Sequence, residues 1–395
     1  MEAYALDWLN LLVRWTHVIV AIAWIGTSFY YIALDYHLRP PKSDAAEESG
    51  VGGEAFEIHG GGFYRVEKYR VAPPTLPSPL HWFKWEAYST WLSGFALLVL
   101  LYYANATTYL VDRSVADISP LVAIVLSVGI LAVGWLVYDG LSRALEGRDR
   151  LLAAALAAVI VVTAFGVSHV FSPRAVYIQV GAMIGTWMVA NVMVVIIPGQ
   201  RELVAAKLAG REPDPTPGLR GKQRSIHNNY LTLPVVFAMI SNHYPMTYGH
   251  PYGWLILVVL MAIGAWVRHF FNLRHQGRVV WAIPATAVLG VVVLAIAIAP
   301  KTASSPRASV SFSQAQAVIT ARCTACHSSE PSQPGFTQAP NGVMFDTPDQ
   351  IVGRAQQIYQ QVVVTKNMPL GNLTNITQDE RDLLAAWVQE GAPAQ

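Results

Sequence analysis

The residues best suited to redox or metal chemistry are few and unevenly placed. Both cysteines of the chain fall in one string, Cys323-Thr324-Ala325-Cys326-His327, so none is left for a structural disulfide. In that spacing two thiols can add to the vinyl groups of a porphyrin while the adjacent imidazole binds the iron; a redox dithiol and half a zinc site share the pattern. Histidines and arginines also stand within or at the ends of long apolar runs: Arg14, His17, His81, His169, His227, His243, Arg268, His269 and His275. Such groups are costly in hydrocarbon, so each is a functional candidate. A side chain reaching out to lipid headgroups is the plain alternative, and for Arg268, His269 and His275 it is the first reading. Two polar segments add groups suited to a planar anion: Gly60 to Arg65 with Lys68, Arg70 and His81 to Trp85, and Gln200-Arg201 with Lys222 to Tyr230. Arg and Gln can pair with a ring edge and aromatic rings can stack on its face, although lipid headgroups call for the same residue types.

Composition says what scaffold must hold these groups. Of 395 residues, 53% are hydrophobic and 13% charged, and the mean hydropathy is +0.36. That profile indicates a membrane protein and excludes a disordered chain, a nucleic-acid binder and a soluble cytosolic fold. Runs of about 20 apolar residues, enough to cross ~30 Å of hydrocarbon, predict eight spans near 9–34, 86–104, 118–138, 151–171, 175–197, 230–244, 252–271 and 279–299. The sixth is the weakest, interrupted by Pro234 and ending in Ser241-Asn242-His243. No basic region precedes the first run and no small-residue cleavage site follows it, so it reads as a retained helix. After Ala299 a Pro/Ser/Lys-rich stretch reads as a linker, 300–312, leading into a separate unit at 313–395. Residues 1–312 carry 23 Lys/Arg against 18 Asp/Glu, and the tail 4 against 7.

Orientation follows from basic residues in the loops. Segments 35–85, 139–150, 198–229 and 272–278 hold seventeen, and the alternate loops 105–117, 172–174 and 245–251 hold two. The bias puts both termini outside the cytoplasm, which for a bacterial inner membrane means the periplasm. Arg14, His17, His169 and His243 then fall toward the outer side, and His81, His227, His269 and His275 toward the inner side.

The tail resembles class I cytochromes c. Phe312 to Cys326 reads as a helix, Met368-Pro369 lies 41 residues after His327, and Thr377 to Glu390 reads as a closing helix with Thr377 and Glu380 in capping-box spacing. The resemblance implies one covalent haem c on Cys323 and Cys326, with His327 and Met368 as axial ligands and Trp387 at the haem edge or in the core. Haem attachment outside the bacterial cytoplasm agrees with the loop charges. In the bundle, His17 stands in Trp15-Thr16-His17 shortly before Gly26, where a haem b held by facing histidines and a close helix–helix contact are both open readings.

The chain as a whole is similar to the membrane-bound, cytochrome-c-linked urate oxidases, also called urate hydroxylases. The segments that carry the resemblance are Arg14-Trp15-Thr16-His17 with Trp24 to Tyr30, Asn191 with Ile197 to Gln200, Arg224 to Pro234, and Met239 to Tyr244. The first of these also looks like that of smaller haem-binding membrane oxidases of porphyrin synthesis, which supports one or two haem b groups. The expected architecture is thus all-α: an eight-helix transmembrane bundle over 1–299 and a C-terminal class I cytochrome c domain over 313–395. The resemblance implies oxidation of urate to 5-hydroxyisourate in purine breakdown. Electrons would pass to the fused cytochrome and on to a soluble cytochrome c or terminal oxidase, with no hydrogen peroxide released. A haem-containing quinol-to-cytochrome relay without its own substrate site is the other reading. Expected roles are His227 or His81 as base, Asn228 and Asn229 as ring-edge partners, and Arg224 or Arg65 as the cation. His17, His169 and His243 are the expected outer haem b ligands, and His81, His227 and His269 could hold an inner one.

Overall fold

A computed structural model of the chain describes residues 2–299, 310–334 and 336–394, so most of the expected 300–312 linker lies outside the described residues. Eight long helices succeed one another before the tail. They are α1 (Glu2–His37), α2 (Trp85–Leu98, continued by a π-helical turn at Val99–Tyr103), α3 (Pro120–Ala144) and α4 (Asp149–Val167). Then follow α5 (Pro173–Ala190, continued through π-helical Asn191–Ile196 and helical Ile197–Leu208), α6 (Thr216–Ile240), α7 (Gly253–His275) and α8 (Ala282–Ala297). Runs of Leu, Val, Ile and Ala satisfy their own backbone groups as helices, the form that hydrocarbon demands. Ser119 and Ser172 cap α3 and α5, each followed by a proline that has no N–H to leave unpaired.

Five of these helices, α1, α3, α4, α5 and α7, are long and apolar enough to cross a membrane. The others stand where spans are expected but α8 is short, α2 hands over to its π-helical turn, and α6 has a polar first half. The bundle core is centred on α5, with Trp187, Tyr138, Tyr177 and Phe171 among its largest fully buried side chains. Outward faces stay apolar: Leu9 and Ile22 on α1, Val125 and Leu136 on α3, and Val288 and Ile296 on α8 are exposed. A water-facing protein does not keep belts of this kind.

Two departures from expectation matter for function. The 35–85 segment is not merely a loop, and the fold is not purely α: Val51–His59 (β1) and Gly62–Tyr69 (β2) form an antiparallel hairpin in which His59 pairs with Gly62 across Gly60-Gly61. Both turn glycines have positive φ (57° and 82°), the conformation a two-residue hairpin turn requires. The hairpin is tied to the end of α1 through His37, whose Nε2 lies 3.1 Å from Glu57, and through Lys68 and Asp35. Second, α6 begins at Thr216, well before the expected start of the sixth span, so Arg224 to Tyr230 are helical rather than loop residues. Hydropathy marks where a helix meets lipid; the first half of α6 packs instead against protein, on α5, α7 and α1.

The tail has its own apolar core. Helices α9 (Phe312–Arg322) and α10 (Gln378–Gln389) both start with capping boxes, at Ser311/Gln314 and Thr377/Glu380, and pack together with the Phe312 and Trp387 rings 6.2 Å apart. Trp387 is fully buried in that core. The tail docks on the bundle at one end. Tyr248 donates to Asn367 Oδ1 at 3.0 Å, and Gly371 lies so close that a Cβ there would be 3.2 Å from the Thr108 carbonyl oxygen. The docking loops are therefore those at 105–117 and 245–251, and the hairpin lies at the opposite end of α1.

Candidate functional site

The hairpin-side half of the bundle holds two buried polar groups on different faces of α6. On the first face, Arg224 and Asn228 are one helical turn apart and 4% and 5% exposed. Arg224 donates to Asp139 Oδ1 at 2.7 Å, and its guanidinium lies 5.0 Å from the centre of the Tyr138 ring. Tyr138 is stacked against Trp187 at 4.9 Å and Trp135 at 5.7 Å.

The hydrogen bonds of this group run in one direction. The Met188 carbonyl can only accept, so Asn228 turns its Nδ2 toward it (2.9 Å) and presents Oδ1 to Asn191. Asn191 must then donate from Nδ2, to Asn228 Oδ1 at 2.9 Å and to the Tyr138 hydroxyl oxygen at 2.8 Å. Tyr138 is left to donate its own proton to His227 Nδ1, 2.8 Å away. A neutral His227 therefore carries its proton on Nε2. It offers an N–H, not a lone pair, to whatever approaches that edge. The charge of Arg224 is answered by Asp139 and both ends of the Asn228 amide are used, while Arg224 Nη1, Asn191 Oδ1 and Trp187 Nε1 are buried without a hydrogen-bond partner.

The second face looks toward α7. Asn229 is fully buried, and its Oδ1 accepts from Arg268 Nε at 2.9 Å and from Asn272 Nδ2 at 3.0 Å. Arg268 is 4% exposed and lies 3.8 Å over the centre of the Phe29 ring of α1. It is no headgroup-seeking side chain, which corrects the first reading of it. Beside it, the Tyr230 hydroxyl is 2.7 Å from His269 Nδ1, and Trp266 stacks on His269 at 5.6 Å. Arg268 Nη2, Asn229 Nδ2 and Asn272 Oδ1 are buried with no hydrogen-bond partner.

The structure thus joins His227, Arg224 and Asn228 and puts Asn229 with a different set. Arg65 lies on β2, paired with Glu54 at 2.9 Å and Glu67 at 2.8 Å. His81 is exposed, edge-on to Phe83 at 4.7 Å. Neither makes a contact with the α6 groups. Tyr138, Trp187 and Asn272 were missed by sequence reasoning. The Arg268/Asn272 spacing on α7 repeats that of Arg224/Asn228 on α6, and was the available signal.

His17 packs on α2: its Nδ1 lies 3.1 Å from the Thr90 carbonyl and 3.0 Å from Ser93 Oγ, and Gly94 makes room for the ring, since a Cβ there would sit 2.9 Å from His17 Cε1. That is a helix–helix contact made through Nδ1, the nitrogen that a metal-binding imidazole also spends on such a bond. Gly26 has nothing within 4 Å and is not the partner of His17. His169 is exposed and bonded to the Phe165 carbonyl of its own helix, and His243 is exposed in the turn after α6. Among the described residues no hydrogen bond or ring contact joins His17, His169 and His243 to one another, or His81, His227 and His269.

In the tail, His327 is oriented by its Nδ1, 2.9 Å from the Val343 carbonyl, which leaves Nε2 free as a ligand, the arrangement metal-binding imidazoles use. Met368 packs in the same core as Cys323. Burial pushes the Cys323 thiol up to about 12 and raises Cys326 as well, so neither is the ready thiolate of a redox dithiol. One buried and one half-buried thiol, a pre-oriented imidazole and a core-packed methionine fit covalent haem. Among the described residues no cluster of three or more His, Cys, Asp or Glu is placed to hold a metal ion.

Residues 3–299, the whole bundle, match the family model for the urate oxidase N-terminal domain. No curated protein and no solved structure matches the chain.

Proposed function

The chain belongs to the urate oxidase N-terminal family, and on that premise we propose that it is an integral membrane oxidoreductase that oxidises urate to 5-hydroxyisourate and passes the electrons to its own tail. The match over residues 3–299 carries this reading, because the buried Arg, Asn, Tyr and His groups of the bundle all lie within it. Urate and one water yield 5-hydroxyisourate, two protons and two electrons. With a cytochrome as acceptor no dioxygen is consumed and no hydrogen peroxide forms.

In this proposal the bundle crosses a bacterial inner membrane eight times. The seventeen-to-two bias in basic loop residues puts the hairpin end in the cytoplasm and the docked tail in the periplasm. Cys323 and Cys326 would carry haem c, and His327 and Met368 its iron. When bound, that group would supply a one-electron acceptor of raised potential, so the two electrons of each urate would leave one at a time, each drawn off by a soluble cytochrome c or terminal oxidase. The chain's own residues prepare this site: Val343 holds His327 in one tautomer, and Arg381 donates to the Met368 carbonyl at 2.9 Å and so secures the ligand loop. Any haem b in the bundle would take its ligands from among His17, His169 and His243, and a pyridine haemochrome spectrum of the purified chain tests for it.

For proton removal, the bundle offers two imidazoles each tied to a tyrosine, His227 to Tyr138 and His269 to Tyr230. His227 in its bonded tautomer acts as a donor at Nε2 and becomes a base only if the Tyr138 bond reverses. The test is anaerobic addition of urate to the purified full-length protein, following haem absorbance. Urate should reduce the haem without added cytochrome and without peroxide. Reduction by dithionite or a quinol but never by urate overturns the proposal in favour of an electron relay.

A further inference from the structure

We infer that the substrate anion is held on the α7 face of α6, by Arg268, Asn229 and Asn272, and not by Arg224. The site takes a planar N-heterocyclic monoanion whose edge sets carbonyl oxygens beside a ring N–H. The inference rests on the reading of urate as substrate and deepens it.

The first argument is charge. A guanidinium does not deprotonate, and a buried cation without a counter-charge is costly. Arg224 is answered by Asp139, and Arg65 by Glu54 and Glu67. Arg268, equally buried, has no carboxylate partner among the described residues; the Phe29 ring against its face compensates only part of the charge. Of these three arginines, Arg268 alone remains to attract an anion.

The second argument is direction. Because a guanidinium only donates, Asn229 must turn Oδ1 toward Arg268, and Asn272 must then turn Nδ2 toward that same oxygen. The orientation of both amides is thereby fixed. What remains is two donors, Arg268 Nη2 and Asn229 Nδ2, and one acceptor, Asn272 Oδ1, each buried and unpartnered; the Arg224 group keeps a like set in Arg224 Nη1, Trp187 Nε1 and Asn191 Oδ1, so it is the Asp139 counter-charge that separates the two faces. The complementary ligand is an anion with two acceptors and one donor. Carboxylates, phosphodiesters and haem propionates offer acceptors alone and leave the Asn272 oxygen unmet, which at a buried position is penalised. The urate anion offers carbonyl oxygens beside ring N–H groups, with its charge spread over the ring.

The third argument is position. Phe29 of α1, Asn229 of α6 and Arg268 of α7 bring three helices together in the hairpin-side half of the bundle, within the family-matched segment. The Tyr230–His269 pair sits on neighbouring residues of the same two helices, so proton handling is at hand.

Steady-state turnover and equilibrium urate binding by purified Arg268→Gln, Arg268→Lys and Asn272→Ala full-length proteins test the inference. The expected result is a rise in KM and in urate Kd of roughly ten- to a hundred-fold for Arg268→Gln, the loss of a hydrogen bond to a charged group, with a smaller rise for Arg268→Lys. One of the singly N-methylated urates should bind poorly to the wild type and no worse to Asn272→Ala, because the same bond is already gone. If wild-type protein oxidises urate while both Arg268 variants keep its KM, or if Arg224→Gln raises KM and Arg268→Gln does not, the site is elsewhere. If Arg268→Gln instead loses haem and keeps urate affinity, the group serves a propionate and the inference fails. Wild-type protein inert toward urate defeats the underlying reading instead, a distinct outcome.

Discussion

At the scale of single residues, Tyr138 shows how one hydroxyl can decide the chemistry of a neighbour. It sits at the end of a chain that starts at the Met188 carbonyl and runs through Asn228 and Asn191, and each link leaves the next no choice of direction. Its proton on His227 Nδ1 determines the tautomer of the imidazole. Replacing it with phenylalanine keeps the ring between Trp135 and Trp187 but strands one Asn191 N–H and the His227 nitrogen. We expect Tyr138→Phe to lower the stability of the bundle by about 1–3 kcal/mol, the cost of buried groups left unpaired. Thermal unfolding of the detergent-solubilised full chain measures it. An unchanged unfolding midpoint with lost turnover would mean that Tyr138 acts on substrate rather than as a lock.

At the scale of elements, helix caps and helix extents do most to place the sites. Helix α10 of the tail begins with Thr377, whose N–H donates to Glu380 Oε2 at 2.7 Å, while Arg322 of α9 holds Oε1 at 2.9 Å. Burial pushes the Glu380 carboxyl upward, but the Thr377 N–H and the Arg322 guanidinium outweigh it and hold the group below its ordinary value. A depressed carboxylate adds stability that is complete above the unfolded-state value and is lost as pH falls through the lower folded-state value. Glu380→Gln should therefore destabilise the tail by about 1 kcal/mol near neutrality. Its deficit relative to the wild type should shrink as the pH falls below roughly 4. Thermal unfolding of both proteins across that range is the measurement, and a gap that stays constant into acid would refute the assignment. Extent matters on α6 in the same way: only because the helix starts at Thr216 do Asn228 and Asn229, adjacent in sequence, serve different faces.

At the scale of the whole molecule, the seat of the tail on the bundle sets how far electrons would travel in the proposed reaction. That seat depends on small residues. A Cβ on Gly249 would run into the Thr365 carbonyl, a few residues from Met368, and Tyr248 beside it holds Asn367. Gly249→Val should therefore lift this edge of the tail. Transfer between two points falls steeply with their separation, so urate-driven haem reduction should slow several-fold while reduction by dithionite and haem content stay normal. Stopped-flow absorbance reads both rates. Equal rates in variant and wild type would show that electrons enter the tail elsewhere.

How much of this was legible in the chain differs by kind of feature. The apolar helices were, because lipid imposes a long uniform run that composition reveals directly. The Gly60-Gly61 hairpin was available but hidden within a segment read for its charges. The polar half of α6 was not legible, since hydropathy reports contact with lipid and these residues contact protein. Nor could residue type tell which buried arginine is free. Arg224 and Arg268 each stand four residues before an asparagine, and the sequence ranked the first above the second. Only the packing of α3 against α6 brings Asp139 to Arg224, and only the packing of α7 against α6 and α1 leaves Arg268 on a phenyl ring with two amides and, among the described residues, no carboxylate. The charge of a site is a sum over neighbours distant in sequence, and tertiary structure decides who those neighbours are.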